Sequence, residues 1–215
     1  MKKNVGVKTF KVIKEHIINN KKSYIIFFLL FIIGIFAGVF FINNLQEPAK
    51  SEITNYLNEF MTKFKEIQAA NSLNQVELIK DSIIQNTILA ILLWFFGTTV
   101  IGIPVVFGIV LYRGFCLGYT ISLCVSIMGT GKGIIFILST LLLQNILFIP
   151  AILALAVSGF KLYKSIVKDK RKENIRIEIL RHTIFSVIML GVLIISSIIE
   201  GFMSTNLLKM IIKYF

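Results

Sequence analysis

Charged residues are scarce in this sequence. Only 16% of its 215 residues are Asp, Glu, Lys or Arg, whereas an average soluble domain carries about 25%. Acidic residues are rarer than basic residues, with 11 Asp and Glu against 23 Lys and Arg, so the formal net charge is +12. Since 56% of the residues are apolar and a soluble chain of this size buries only about 70% of its surface, the composition argues against a soluble globular protein.

Cysteine and the common catalytic motifs are almost absent. Cys116 and Cys124 fall in one predicted helix, where they cannot reach each other, which excludes a disulfide framework. The sequence contains no HExxH, CxxC, GxSxG or paired-carboxylate pattern. The glycine-rich residues 129–133 lack the first Gly and the final Ser or Thr of a phosphate-binding loop. The sequence therefore predicts no enzyme activity, no metal site and no cofactor.

The sequence contains several long runs without charged residues. Five stretches contain no Asp, Glu, Lys or Arg: residues 23–45, 82–112, 114–131, 133–160 and 182–199. A membrane-spanning helix needs about 20 mostly apolar residues, and each stretch is that long or nearly so. This predicts an all-α polytopic membrane protein with five transmembrane helices. The first stretch is longer than the apolar core of a signal peptide, so it is predicted to remain as the first of them.

The distribution of charge predicts how these helices are oriented. Residues 1–22 hold seven Lys and one acid, and residues 161–182 hold eight Lys or Arg and three acids. Residues 43–82 hold four Lys and six acids. Because positive charge stays on the cytoplasmic side, the N-terminus is predicted inside and the C-terminus outside. Attraction to the anionic lipid of the inner leaflet accounts for the basic segments, so no nucleic-acid partner is predicted.

The predicted organisation follows from these two patterns. It comprises a basic amphipathic cytoplasmic segment (1–22), transmembrane helices at 23–42, 83–101, 104–128, 133–158 and 183–206, an extracytoplasmic helical segment (43–82), a basic cytoplasmic loop (159–182) and an extracytoplasmic tail (207–215). Pro104 favours the start of a new helix, which divides residues 82–128 in two. The alternative is one long tilted helix that turns at residues 112–114. The lone His16 is predicted to be a solvated side chain.

Apolar residues repeat at helical spacing over residues 51–70 of the extracytoplasmic segment, which predicts an amphipathic helix. The candidate docking residues on its apolar face are Ile53, Tyr56, Leu57, Phe60 and Phe64. Two interpretations stay open. The face lies on the membrane or packs on neighbouring helices, or it docks an extracytoplasmic partner.

Polar groups within the predicted helices form a second candidate set. These residues are Arg113, Gln144, Asn145 and Glu200, with Lys132 in the outer turn. An ionisable group in hydrocarbon costs several kcal/mol unless it is paired or hydrated. Arg113 is therefore predicted to donate to the side-chain oxygens of Gln144 and Asn145, and Glu200 is predicted to share a level with Lys132. Such groups hold helices together or, as the alternative, line a polar path in a small transporter or permease subunit.

Glycines form the third candidate set. Gly34 and Gly38 make a GxxxG pattern in the first helix, and Gly114 and Gly118 lie in the third. Small residues allow two helix backbones to approach closely in a membrane. All four are predicted to be helix-packing residues, and together with the amphipathic segments they suit self-association as a homodimer.

A series of short motifs resembles a known family. The motifs are Gly102-Ile103-Pro104, Leu111-Tyr112-Arg113-Gly114-Phe115, Gly118-Tyr119-Thr120, Met128-Gly129, Lys132-Gly133 and Gln144-Asn145-Ile146-Leu147-Phe148-Ile149-Pro150. With five helices and a basic N-terminus, they resemble the stage II sporulation protein M family. Leu143 stands where members of that family typically carry a proline.

The resemblance implies a function that composition does not. Members of the family are non-enzymatic scaffolds of the cell membrane that act during forespore engulfment in endospore-forming bacteria. They assemble and localise two peptidoglycan hydrolases, the stage II sporulation proteins D and P, at the septal, mother-cell engulfing membrane. The resemblance therefore implies these two partners for the present chain.

Overall fold

The structure, a computed structural model, describes residues 13–49, 51–53, 55–56, 59, 62, 75–138, 143–168 and 172–212. Within these residues the chain is almost entirely helical and contains no strand. After a short helical stretch at 13–19, the elements are α1 (Lys21–Asn43), α2 (Gln75–Thr98), α3 (Ile103–Met128), α4 (Thr130–Ile137), α5 (Leu143–Lys168) and α6 (Lys172–Ile212). All except α4 contain a segment long and apolar enough to cross a membrane, which confirms the predicted five-helix all-α fold. The inside location of the N-terminus stays a prediction.

Helices α2 and α3 are separated by a tight break rather than joined. Helix α2 ends at Thr98, and α3 begins at Ile103 with Pro104 in its first turn. A proline is tolerated there because the first N–H groups of a helix have no intrahelical acceptor. A side chain at Gly102 would meet the main chain of Phe96, so the break itself depends on a glycine. Residues 82–128 therefore form two helices.

Helices α1 and α3 run parallel and pack against each other along most of their length. The Phe27 and Phe107 rings stack with centroids 4.8 Å apart near the start of both helices. Near their ends, Ser122 Oγ donates to Asn43 Oδ1 at 3.4 Å. The two helices therefore stay aligned along their length. The close contact between their glycines accounts for this alignment.

Helices α2 and α6 form an antiparallel pair. Ser82 Oγ donates to Glu200 Oε2 (2.7 Å) near one end of the pair, and Trp94 Nε1 donates to Thr183 Oγ1 (3.1 Å) near the other. From the first of these hydrogen bonds to the second, residue numbers rise along α2 and fall along α6, as an antiparallel arrangement requires. These two hydrogen bonds satisfy polar groups that would otherwise face hydrocarbon.

Helix α5 lies in the centre of the bundle. All residues from 151 to 159 are buried, and Ala151, Ala154 and Ala156 among them are small. A Cβ added at Gly159 would lie 2.8 Å from the Cα of Gly97, so α2 crosses α5 at a glycine pair. Small side chains let α5 contact α1, α2, α3 and α6 at once, because helices can approach closely only where side chains are short.

Helices α5 and α6 extend further than the predicted boundaries at 158 and 183. Helix α5 continues to Lys168, and α6 already begins at Lys172. Lys161 Nζ lies 3.8 Å from Glu178 Oε2, and Lys164 Nζ lies 4.3 Å from the Phe160 ring centroid. Since charges that pair across two helices do not oblige either helix to end, the predicted basic loop is largely helical. We call this end of the bundle, with Lys161, Glu178 and Arg181, the basic end.

The fourth predicted segment, 133–158, also differs from the structure. A short helix, α4, follows α3 after Gly129, whose φ of 78° lies in the left-handed region that glycine adopts without strain. A side chain at Gly133 would lie 2.9 Å from the Cα of Val125, so α4 folds back onto α3. The apolar span then covers Asn145–Val167, which puts Asn145 at the start of that span rather than at its centre.

Candidate functional site: a polar cleft between the helices

Four glycines bring α1 and α3 into backbone contact. A Cβ built on Gly34 would lie 3.1 Å from the Cα of Gly114 and would overlap the main-chain oxygen of Leu111. A Cβ on Gly118 would overlap the main chain of Ile35, and one on Gly38 would overlap the main-chain oxygen of Phe115. The structure therefore places all four predicted helix-packing glycines at one crossing, where a methyl group has no room.

Because Gly114 and Gly118 face α1, the polar stripe of α3 faces the other way, into a cleft of about 420 Å³. We call this space the polar cleft. Its lining residues are Leu78, Asp81, Ser82, Gln85 and Asn86 of α2, Arg113, Cys116, Leu117 and Thr120 of α3, Asn145 and Phe148 of α5, and Glu200 of α6. The structure thus brings Arg113, Asn145 and Glu200 to one place. The side chains of Gln144 and Lys132 lie outside the described residues.

Hydrogen bonds between α2 and α6 form one wall of the polar cleft. Glu200 Oε2 accepts from Ser82 Oγ at 2.7 Å, and Asn86 Nδ2 donates to Ser197 Oγ at 2.7 Å. Ser197 in turn donates to the Leu193 carbonyl at 3.1 Å. Sequence reasoning did not single out Ser82, Asn86 or Ser197. Their signal was present, since each is a polar residue inside an apolar stretch, but the predicted start of the second helix at residue 83 left Ser82 outside it.

Arg113 lies on the opposite wall, ten residues into α3, and is half-buried. Its guanidinium carbon lies 5.4 Å from the centroid of the Phe148 ring, a distance at which a cation is attracted to the ring face. The predicted partners were the side-chain oxygens of Gln144 and Asn145. Phe148 lies one turn further along α5 than Gln144, so the described contact of Arg113 with α5 is an aromatic ring, and its hydrogen bonds to Gln144 and Asn145 stay a prediction.

The predicted docking face is described in part. Ile53 is half-buried and Tyr56 is 70% exposed. Together with Glu52 they border a shallow pocket of about 380 Å³ whose other side is Tyr119 and Leu123 of α3. Leu57, Phe60 and Phe64 lie outside the described residues. The start of this segment thus lies beside the end of α3 that is remote from the basic end.

His16 is not the solvated side chain that the sequence predicted. Its ring stacks on Phe185 of α6 with centroids 4.2 Å apart, and its Nδ1 lies 3.1 Å from the Tyr24 hydroxyl. It borders a pocket of about 320 Å³ at the basic end together with His182. Burial, and then the neighbouring Lys161 and His182, lower the pKa of His16 from 6.5 to about 4. No local sequence signal reveals this, because Phe185 is far away in the chain.

Acidification is expected to weaken the packing around His16. Because its folded pKa of about 4 lies below the unfolded value of 6.5, the unfolded state binds more protons between these pH values. The contribution is constant above pH 6.5 and is lost as the pH falls from 6.5 towards 4. We expect the thermal unfolding midpoint of the detergent-solubilised protein to fall between pH 7.5 and pH 5. His16→Phe keeps a ring against Phe185 and should make that fall smaller, whereas an identical fall in both proteins would contradict this explanation.

The model of one family, described as Stage II sporulation protein M, matches residues 27–205. No curated protein and no solved structure matches the chain. The matched range begins in α1 and ends in α6, so it contains the four glycines of the helix crossing and every residue of the polar cleft. The chain therefore belongs to the Stage II sporulation protein M family.

Proposed function

We propose that this multi-pass membrane protein is a non-enzymatic scaffold that assembles and localises peptidoglycan-degrading proteins during forespore engulfment. The observation that carries the proposal is the family match over residues 27–205. The proposed partners are the hydrolases of the engulfment complex, the stage II sporulation proteins D and P. The proposed location is the septal membrane that becomes the engulfing membrane of the mother cell.

The charge distribution supports this function. If the basic end lies in the cytoplasm, the segment that contains Ile53 and Tyr56 lies on the outer side of the membrane, where peptidoglycan is. Tyr56 is 70% exposed, and tyrosine is a residue type enriched at protein interfaces. A rigid crossing of α1 and α3 would hold the start of this segment at a fixed position beside Tyr119. A fixed outer platform is what a scaffold for wall hydrolases needs.

Removal of the aromatic docking residues tests the proposal. In Tyr56→Ala combined with Phe60→Ala and Phe64→Ala, we expect loss of most of the D and P proteins that co-purify with the tagged chain from sporulating cells. Truncating one interface aromatic costs about 2 kcal/mol or more when it is a hot spot, so three should reduce capture more than tenfold. Phe36→Ala, at a 69% exposed position of α1, is the matched control and should capture normally. If neither hydrolase co-purifies with the wild-type chain, the scaffold proposal is wrong.

A transporter or permease subunit is the second candidate, and the polar cleft is the observation that favours it. The region between the cleft at Arg113 and the basic end is apolar, however. Its fully buried side chains include Val106, Val110 and Leu155. Among the described residues this apolar layer closes the cleft, and transport would require it to open. In the transport case, Arg113→Ala abolishes solute flux in vesicles while the D and P proteins still co-purify.

A further inference from the structure

The pocket of about 320 Å³ at the basic end lies where the bundle meets the surface of the bilayer. Its walls are the helical stretch 13–19, α5 and α6. Lys161 directly follows the charge-free residues 133–160, and Arg181 directly precedes the charge-free residues 182–199. Since charge-free stretches of this length match the hydrocarbon core, the two cations mark the level of the lipid head groups. We call this space the basic-end pocket.

The lining of the basic-end pocket changes from charged to apolar along α6. Glu178 and Arg181 line it near the start of that helix, and Ile184 and Ile188 line it about one and two turns further on. Two turns are about 11 Å. Ile184 is 53% exposed, so the apolar part of the pocket borders the surface that faces lipid. A ligand with a polar head and an apolar tail matches this gradient, whereas a fully soluble ligand does not.

The charged part of the basic-end pocket carries both signs. Glu178 accepts a hydrogen bond from Arg181 Nη1 at 2.7 Å and lies 3.8 Å from Lys161 Nζ, so two cations share one carboxylate. Glu15 also lines the pocket, which brings the charged lining to two cations and two carboxylates. A simple anion would be repelled by both carboxylates. A head group that itself carries one positive and one negative charge complements this lining.

His16 adds a polar atom to the same wall. Its Nε2 is buried and has no hydrogen-bond partner among the described residues, whereas its Nδ1 lies 3.1 Å from the Tyr24 hydroxyl. A buried polar atom without a partner is unfavourable, so a ligand oxygen at this position would be stabilised. The ring is neutral at pH 7, since the pKa of His16 is about 4. It can therefore donate to a phosphate or ester oxygen, when the Tyr24 hydroxyl donates to Nδ1, without changing the charge of the pocket.

We propose that the basic-end pocket binds the head group of a phosphatidylethanolamine molecule. The phosphate accepts from Lys161 and Arg181, and the ammonium donates to Glu15 and Glu178, whose carboxylate oxygens each accept more than one hydrogen bond. A volume of about 320 Å³ is at the lower end of the range for small-molecule pockets, about 300–1,000 Å³. It accommodates one head group, while the acyl chains pass Ile184 and stay in the bilayer. This site is independent of the scaffold function proposed above.

Three phospholipids with identical acyl chains test the proposed head-group specificity. The delipidated full chain is titrated with each in detergent, and bound lipid is counted by native mass spectrometry. Phosphatidylcholine carries the same charges as phosphatidylethanolamine but has no N–H group, and phosphatidylglycerol has no amine. We expect phosphatidylethanolamine to bind about tenfold more tightly than either, because hydrogen bonds between an ammonium and a carboxylate are charge-assisted. Equal binding of all three lipids, or tighter binding of phosphatidylglycerol, overturns the proposal.

Two substitutions separate the phosphate contact from the ammonium contact. Lys161→Gln should weaken binding of all three lipids, because each of them has the phosphate. Glu178→Gln should abolish the advantage of phosphatidylethanolamine over phosphatidylcholine. Lys164→Gln is the matched control, since this lysine lies one turn further along α5, beside the Phe160 ring, and does not line the pocket. If Lys164→Gln weakens binding as much as Lys161→Gln, general surface charge holds the lipid and the proposal is wrong.

A photo-cross-link on the wild-type chain keeps the test independent of how well the variants fold. The probe is phosphatidylethanolamine with a photoreactive group near the start of one acyl chain, and the adducts are mapped by peptide mass spectrometry. We expect adducts at residues 184–188 of α6 that excess unlabelled phosphatidylethanolamine removes. Equal labelling of the exposed apolar face of α1, which includes Ile25 and Phe36, overturns the proposal. Competition by soluble glycerophosphoethanolamine as effective as that by the whole lipid would also overturn it, because the pocket would then bind a soluble phosphate compound.

Discussion

Replacement of Gly118 by alanine is expected to lower the thermal unfolding midpoint by about 6–12 °C. The added Cβ would overlap the main chain of Ile35, and the nearest α1 carbons would lie only 2.8 Å away. Backbone atoms cannot rotate aside as a side chain can, so α1 and α3 must separate along the crossing. Overpacking of this kind costs about 3 kcal/mol, and each kcal/mol shifts the midpoint of a chain of this length by about 2–4 °C.

Gly108→Ala is the matched control for this prediction, because it lies on the same helix with no atom within 4 Å of the added Cβ. Alanine favours a helix over glycine by about 1 kcal/mol, so this variant should be as stable as wild type or slightly more stable. The two substitutions are chemically identical and should act in opposite directions. If thermal unfolding followed by size-exclusion fluorescence gives the same midpoint for both, the glycine crossing does not hold α1 to α3.

The number of helices was predictable because a membrane allows few solutions. Backbone groups in lipid must be satisfied within the segment itself, so a charge-free run of about 20 residues forms a helix almost regardless of its detailed sequence. The ends of α5 and α6 were not predictable in the same way. Lys161 and Glu178 are compatible with a loop or with a helix, and their approach to 3.8 Å across the two helices depends on how the bundle is arranged.

For the polar cleft, the sequence was enough to identify single residues but not the contacts between them. Arg113, Asn145 and Glu200 were each identified from the cost of a polar group in lipid, and the four glycines from their size. Which of them would meet could not be derived, because contacts such as that between Ser82 and Glu200 depend on how the helices are arranged around α5. The glycine pairs predict that two helices pack closely, but they do not indicate which helix lies on the other side.

Histidine was the residue type for which the sequence was least informative. His16 and His182 each lie beside charged residues in the sequence, a pattern that is typical of a solvated position. In the structure, His182 is 2% exposed and lies where α2, α5 and α6 meet. Ser158 Oγ lies 2.8 Å from its Nδ1, and the carbonyl of Trp94 lies 3.4 Å from its Nε2. One imidazole thus satisfies polar groups from two neighbouring helices.

Substitution of His182 by phenylalanine is therefore expected to destabilise the bundle by about 3 kcal/mol. The ring volume is nearly kept, but Ser158 is left buried without a partner, which costs about 1–3 kcal/mol, and the contact with Trp94 is lost as well. Ser158→Ala alone should cost about 1 kcal/mol, and the double variant should be less destabilised than the sum of the two by about 1 kcal/mol. Ile195→Ala, at a 54% exposed position of the same helix, should stay near wild type. Additive effects in this cycle, measured from reversible unfolding in detergent, would show that His182 acts through its volume and not through Ser158.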